Sequence, residues 1–140
     1  MIPNIYPGCF LVVEGIDGCG KTEQFNRLLG YLRAKGSTAI GTKEPGKDRA
    51  YGAEIYRELH DPEGLHKTNP FRFQMLYARD SKEHLRKEII PRLRAGCSVV
   101  SDRFRPSMVY GIRPPYPGWL WSGFDPPANI IVMDKLMEMN

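Results

Sequence analysis

Cysteine is scarce in this chain. Three residues, Cys9, Cys19 and Cys97, are odd in number and far apart. That excludes a disulfide framework and a cysteine-rich metal site, and makes a reducing, cytoplasmic setting the expectation. Long apolar runs are lacking too; none approaches the ~18 residues of a membrane span. The first eight residues have no cationic stretch and contain two prolines, so they do not read as a signal peptide. Charge of one sign is not in large excess: twenty Lys and Arg stand against sixteen Asp and Glu, a net charge of +4. A pI near 9.0 suits an anionic ligand. It is too mild, and the basic residues too scattered, to point to nucleic acid. There is no internal repeat and no low-complexity tail. With 41% hydrophobic and 26% charged residues over 140 positions, the composition is that of one ordinary globular domain, not of a disordered chain.

What is present is an alternation of strand and helix patterns. Cys9 to Val13 (CFLVV) is a short continuous apolar run, the mark of a strand buried on both faces. Phe25, Leu28, Leu29 and Leu32 then recur at helical spacing, giving a helix over about Lys21 to Lys35 that Gly36 ends. Ser37 to Thr42 reads as a weaker strand and Ala50 to Leu59 as a short helix. A long helical pattern runs from about Pro70 to Arg94, with Phe73, Leu76, Tyr77, Leu85, Ile89 and Leu93 on its apolar face and Pro91 as a point of kinking or division. Ser98 to Ser101, closed by Asp102, and Ile130 to Met133, closed by Asp134, read as two more strands. Between them Pro106 to Pro127 holds six prolines and reads as a long irregular loop. Such alternation predicts βαβ units, and hence a three-layer α/β/α domain on a parallel sheet.

The strongest chemical signal is Gly15-Ile16-Asp17-Gly18-Cys19-Gly20-Lys21-Thr22, a G-x-x-x-x-G-K-T loop between the first strand and the first helix. Its glycines let the backbone curl so that successive N–H groups face a phosphate. Lys21 can reach the β- and γ-phosphates of a nucleotide, Thr22 can ligate Mg²⁺, and the helix start adds its positive end. Cys19 reads as a spacer. The motif points to binding of nucleotide phosphate without saying which reaction follows.

Three further segments accompany the loop: Thr42-Lys43-Glu44-Pro45-Gly46, Asp102-Arg103-Phe104-Arg105-Pro106-Ser107, and the helical Leu76-Tyr77-Ala78-Arg79-Asp80-Ser81-Lys82-Glu83-His84. With Glu14 to Thr22 and the strand Pro127 to Asp134, they resemble the thymidylate kinase (dTMP kinase) family of nucleoside monophosphate kinases, in that family's order. The resemblance implies a fold of the P-loop NTPase type with a five-stranded parallel sheet. It implies Mg²⁺-dependent transfer of the γ-phosphoryl group of ATP to dTMP, giving dTDP. Chemistry of that kind rests on positioning and charge neutralisation. Lys21 and Thr22 are then expected to serve donor phosphate and metal, Asp17 the sugar 3′-hydroxyl, and Asp102 the Mg²⁺. Lys43 and Arg103 are expected to hold the acceptor phosphate and Tyr77 to stack on the base. Ser81 and Ser107 stand where the base edge is read, and Tyr110 where the sugar 2′ position is crowded.

Several of these roles have competitors. Asp17 can equally cap a turn. Asp134 competes with Asp102 as the metal ligand, although Arg103 and Ser107 complete a motif beside Asp102. Tyr77 can be ordinary helix core, and His84 on the same face reads as structural. Arg105 and Arg113 read as surface charge, and Trp119 and Trp121 as a cover over the sheet end.

The chain departs from the family pattern in three respects. Ser81 replaces an Arg, and Met108 a polar residue, where thymine is recognised; this leaves a different nucleoside monophosphate as an alternative acceptor. Lys43 replaces an Arg, a point charge in place of a fork. Six residues follow Asp134, where the family continues with an arginine-bearing lid and a fifth strand. The expectation is therefore one domain over residues 1–140, truncated after its fourth strand. A non-catalytic ATP-binding module is the alternative from another functional class. A homodimer is implied by the family; a nucleic-acid or membrane partner is not expected.

Overall fold

A computed structural model describes residues 4–104 and the backbone of 129–132. The element order is β1 (Phe10–Glu14), α1 (Lys21–Ala34), β2 (Ala39–Lys43), α2 (Ala50–His60), α3 (Leu65–Thr68), α4 (Pro70–His84), a π-helical stretch (Leu85–Ile89), α5 (Ile90–Arg94), β3 (Ser98–Asp102) and β4 (Asn129–Val132). The four described strands form one parallel sheet in the order β2-β3-β1-β4. Residues pair Phe10 to Val99, Ala39 to Ser98 and Leu11 to Asn129.

Strand alternation divides the core between two faces. Phe10, Val12 and Val99 point to one side, where they meet Leu85, Ile89, Leu93 and Phe104. Val13 and Val100 point to the other, under Phe25, Leu28, Leu29 and Leu32 of α1. These faces make the three expected layers. A third cluster, Ile55, Phe73 and Leu76 with Tyr51, Leu65 and Tyr77, ties α2, α3 and α4 together.

The helix boundaries follow local chemistry. The Asn69 side chain accepts the Arg72 N–H at 3.0 Å and Pro70 takes the first helical position, which starts α4. α1 and α5 both end in Schellman motifs. Ser37 N–H reaches Leu32 O and Gly36 N–H reaches Arg33 O; Cys97 N–H reaches Arg92 O and Gly96 N–H reaches Leu93 O.

Pro91 lies in the first turn of α5, which a π-helical stretch separates from α4. It offers no N–H to the Lys87 carbonyl and its ring presses on that group. The chain widens just before it, with Ile90 N–H bonding to Leu85 O in an i to i+5 link. Element bounds differ from the expectation by a residue or two: β1 runs Phe10–Glu14, β2 Ala39–Lys43 and α2 Ala50–His60, β4 is described over Asn129–Val132, and the one-turn α3 gave no periodic signal.

All strands of a parallel sheet end on one edge, and ligands of such sheets bind outside the carboxyl ends. Here that edge gathers the phosphate loop after β1, Lys43 and Glu44 at the end of β2, and Asp102 and Arg103 at the end of β3.

Candidate nucleotide-binding site

The phosphate loop leaves β1 and enters α1 through Gly18 and Gly20, both left-handed at φ 82° and 85°. A Cβ on either would meet nothing within 4 Å, so conformation and not space makes glycine the fitting residue there. Gly20 sits at the N-cap of α1 with no side-chain cap, and the first-turn N–H groups are left for an anion. Lys21 is buried and its Nζ donates to the Ile16 carbonyl, 3.7 Å from Asp17 Oδ1. Its ammonium is thus folded over the loop. Cys19 is partly covered and packs under α1. Thr22 is exposed on the first turn.

The turn after β3 is clamped onto β1. Glu14 is buried, and its Oε1 accepts the Phe104 N–H at 2.7 Å. Phe104 lies edge-on to Phe10 with ring centroids 5.1 Å apart. Arg103 adopts φ 73°, with its N–H on Val13 O at 3.0 Å and its carbonyl accepting from Ser101 Oγ at 2.7 Å. This turn sends the Arg103 guanidinium across the loop to Asp17, whose side chain is 95% exposed. Asp17, Lys21 and Arg103 therefore converge from two strand ends.

Beside them Lys43 Nζ stands 3.6 Å from Asp102 Oδ2. Asp102 Oδ1 is buried and has no hydrogen-bond partner. An orphaned carboxylate oxygen next to a phosphate loop fits a hard cation. Among the described residues no cluster of three or more His, Cys, Asp or Glu could hold a metal, so a cation at Asp102 would draw further oxygens from phosphate and water.

The loop after β2 is fixed by Ser81 and His84 together with Glu44, Asp80 and Arg49, the last three without an individual role in the sequence analysis. Glu44 follows β2 and precedes a cis peptide to Pro45. Its N–H bonds to Asp102 O at 3.0 Å. Its buried carboxylate accepts from Ser81 Oγ at 2.8 Å and from His84 Nδ1 at 2.7 Å. Burial pushes the Glu44 carboxyl above its usual range, against the pull of the His84 and Ser81 bonds. His84 Nε2 shares a 2.7 Å hydrogen bond with Thr42 Oγ1. Next to this, Asp80 accepts two bonds from Arg49 and the Gly46 N–H. Burial weakens the Arg49 charge, but the bonds and charge of Asp80 outweigh it and hold the guanidinium pKa up. The available signals were the i, i+1, i+4 spacing of Asp80, Ser81 and His84 on one helix face and the i, i+2 spacing of Thr42 and Glu44 on a strand.

The candidate residues are thus distributed as follows. Tyr77 packs edge-on to Phe73 with centroids 5.4 Å apart, and remains half-buried. Burial and the neighbouring Tyr56 push its phenol up to about 12, while the nearby Arg103 charge works against that shift. Tyr77 is therefore both core and neighbour of the Arg103 side. Ser81 was expected where the base edge is read; it is fully buried and its hydroxyl donates to Glu44. His84 is fully buried and bonded to both Thr42 and Glu44. Arg79 lies over the Tyr51 ring, away from Ser81. Ser107 and Tyr110, like Arg105, Met108, Arg113, Trp119, Trp121 and Asp134, lie outside the described residues.

Comparison with known proteins gives the family. The family model described as Thymidylate kinase matches residues 13–111. A thymidylate kinase of Desulfosudis oleivorans is 41% identical over 95 residues, covering 68% of this chain and 44% of that protein. One from Prochlorococcus marinus strain MIT 9312 is 40% identical over 105 residues, covering 71% of this chain and 49% of that protein. The crystal structure of the thymidylate kinase from Ehrlichia chaffeensis superposes with a TM-score of 0.76 at 25% identity, over 94% of this chain and 74% of that one. The chain spans about half the length of the curated relatives it matches.

Proposed function

This chain belongs to the thymidylate kinase family, and we propose that it carries the donor- and acceptor-phosphate sites of an enzyme that transfers the γ-phosphoryl group of ATP to dTMP. The observation that carries the proposal is the convergence of Lys21, Arg103, Lys43 and Asp102 at one sheet edge.

In this reading Lys21 and the N–H groups of Gly15 to Thr22 hold the donor phosphates. The Thr22 hydroxyl and the Asp102 carboxylate hold Mg²⁺, which supplies charge neutralisation at the phosphoryl oxygens when bound. Lys43 and Arg103 hold the acceptor phosphate, and Arg103 exchanges Asp17 for it. Asp17, released from Arg103, accepts from the sugar hydroxyl. Tyr77 covers the base, and Ser107 and Tyr110 complete the nucleoside side. Cations on both sides of the transferring group offset charge as it moves between two anions. Cytoplasmic location and pairing of two copies belong to the same reading. The free state of Cys9, Cys19 and Cys97 suits a reducing setting. No helix among the described residues is long and apolar enough to cross a membrane.

The test is Mg²⁺-dependent ADP release from ATP by the chain, with dTMP, dUMP, UMP, CMP and AMP offered in turn and Lys21→Ala as control. The expected result is release with dTMP that Lys21→Ala abolishes. Release with another acceptor alone would replace dTMP in the proposal; the committed hydroxyl of Ser81 makes that comparison informative. ATP binding with no acceptor-dependent release from the folded chain would replace it with a binding module.

A further inference from the structure

The segment Lys43–Gly46 leads from the last residue of β2 into the loop before α2. It is held by α4 from two sides. Asp80 accepts the Gly46 N–H at 3.2 Å and anchors Arg49, whose Nη2 also donates to the Lys43 carbonyl at 2.9 Å. His84, one helical turn further on, takes the other side. Thr42 and Glu44 are two residues apart and present their side chains to the same face, where the imidazole meets both: Nε2 with Thr42 Oγ1 and Nδ1 with Glu44 Oε1, each at 2.7 Å. A flat ring with a polar atom on two edges can span that pair; the bond to Glu44 is buried and the bond to Thr42 partly so. Ser81 takes the remaining Glu44 oxygen. Glu88 Oε2 lies 4.0 Å from Nε2 and is the other carboxylate near the ring. Glu44 in turn bonds through its N–H to the carbonyl of Asp102, and the residue before it sends its ammonium to the Asp102 carboxylate.

We propose that His84 is a positioning residue for the acceptor-phosphate side. It touches no ligand itself. By bridging Thr42 and Glu44 it fixes Lys43 opposite Asp102, while the phosphate loop stands independently of it. The word acceptor rests on the functional reading above; the control of the Lys43–Gly46 segment by His84 does not.

The test uses the full chain with His84→Ala and His84→Gln. Gln can donate an amide N–H to Glu44 and accept from Thr42, so it is the rescuing variant. Affinities for dTMP and for Mg²⁺·ATP are measured by calorimetry, and amide hydrogen exchange is followed over residues 42–46 and 15–22. His84→Ala is expected to weaken dTMP by about tenfold or more, the usual effect of losing a group that orients a ligand-binding residue. ATP affinity stays within about twofold, protection is lost at 42–46 and kept at 15–22, and His84→Gln restores both dTMP affinity and protection.

Equal dTMP binding by wild type and His84→Ala overturns the proposal. A parallel fall in both affinities that Gln does not rescue also overturns it, since that marks a merely structural residue. A wild-type chain that binds ATP and not dTMP defeats the functional reading instead; the exchange data still decide whether His84 holds the segment. Should His84→Ala fail to fold, Thr42→Val removes the Nε2 bond alone. It is expected to lower dTMP affinity severalfold at unchanged ATP affinity, and no change in dTMP affinity or in protection at 42–46 overturns the proposal.

Discussion

Arg49 meets Asp80 side by side, Nε on Oδ1 and Nη2 on Oδ2, both at 2.9 Å, with Asp80 only 1% exposed. The two residues are 31 positions apart, on the approach to α2 and on α4. A fork of this kind satisfies both carboxylate oxygens, and Gly46 N–H takes a further lone pair. The pair thereby joins the loop after β2 to the helix that flanks it.

Removing one partner leaves the other charged and buried. Arg49→Met is expected to destabilise the fold by ~3–5 kcal/mol, as breaking buried ion pairs does. Arg49→Met combined with Asp80→Leu is expected to recover much of that loss. Urea unfolding of the two variants and the wild type measures both. A single substitution as costly as the pair would show that packing, and not the uncompensated charge, sets the loss.

The close approach of α2 to the same loop depends on Gly52. A Cβ there would lie 1.9 Å from the Gly46 carbonyl oxygen and 2.9 Å from the Gly46 nitrogen. These are backbone atoms, so the loop itself must move. Gly52→Ala is expected to cost roughly 1–3 kcal/mol. Gly30, inside α1 with open space around its Cα, is the control; Gly30→Ala is expected to stabilise by about 1 kcal/mol. Thermal unfolding that moved both variants in the same direction would refute the steric account.

Legibility in the sequence followed the range of the interactions. β1, α1 and β3 were readable because an apolar run, a 3.6-residue stripe and a glycine stop are local patterns. The phosphate loop was readable because its glycines and Lys21 lie within eight consecutive positions. The residue bonded to Ser81 was not readable. Its partner Glu44 is 37 positions away, and only the packing of α4 against the end of β2 brings them together. The motif alone suggests a ligand-facing Ser81, whereas in the fold its side chain is buried against Glu44. The π-helical stretch escaped for another reason, since Pro91 permits a kink, a break or a widened turn equally well, and the packing of Leu85, Ile89 and Leu93 on one sheet face selects the last.

Tyr77 supplies a pH signature. Burial raises its phenol to about 12, so the folded chain keeps this proton in a range where the unfolded chain, near 10, has lost it. The folded state then binds more protons than the unfolded one, and stability falls as pH rises. The contribution is fully present below about 10 and lost by passage through about 12. Tyr77→Phe has no proton to lose and is expected to show a shallower decline over that window. Urea unfolding at pH 9, 10 and 11 compares the slopes; equal slopes would mean that Tyr77 is not desolvated.

Asp102 separates metal binding from phosphate binding. Its Oδ1 is buried without a partner and its Oδ2 faces Lys43 at 3.6 Å. Leaving an acceptor unpaired costs about 1–3 kcal/mol, a penalty that a cation or its water would relieve. Asp102→Asn keeps the shape and removes the negative charge that a hard cation requires. Wild-type affinity for ATP is expected to rise with added Mg²⁺. In Asp102→Asn that rise is expected to shrink by about tenfold, while metal-free ATP binding stays near the wild-type value. Lys21→Ala is expected to differ in kind, losing affinity with and without Mg²⁺, because it removes the cation of the phosphate loop itself. Calorimetric titration of ATP at several Mg²⁺ concentrations distinguishes the two patterns. Full Mg²⁺ dependence in Asp102→Asn would move the metal to another carboxylate and leave the orphaned oxygen to a bound water.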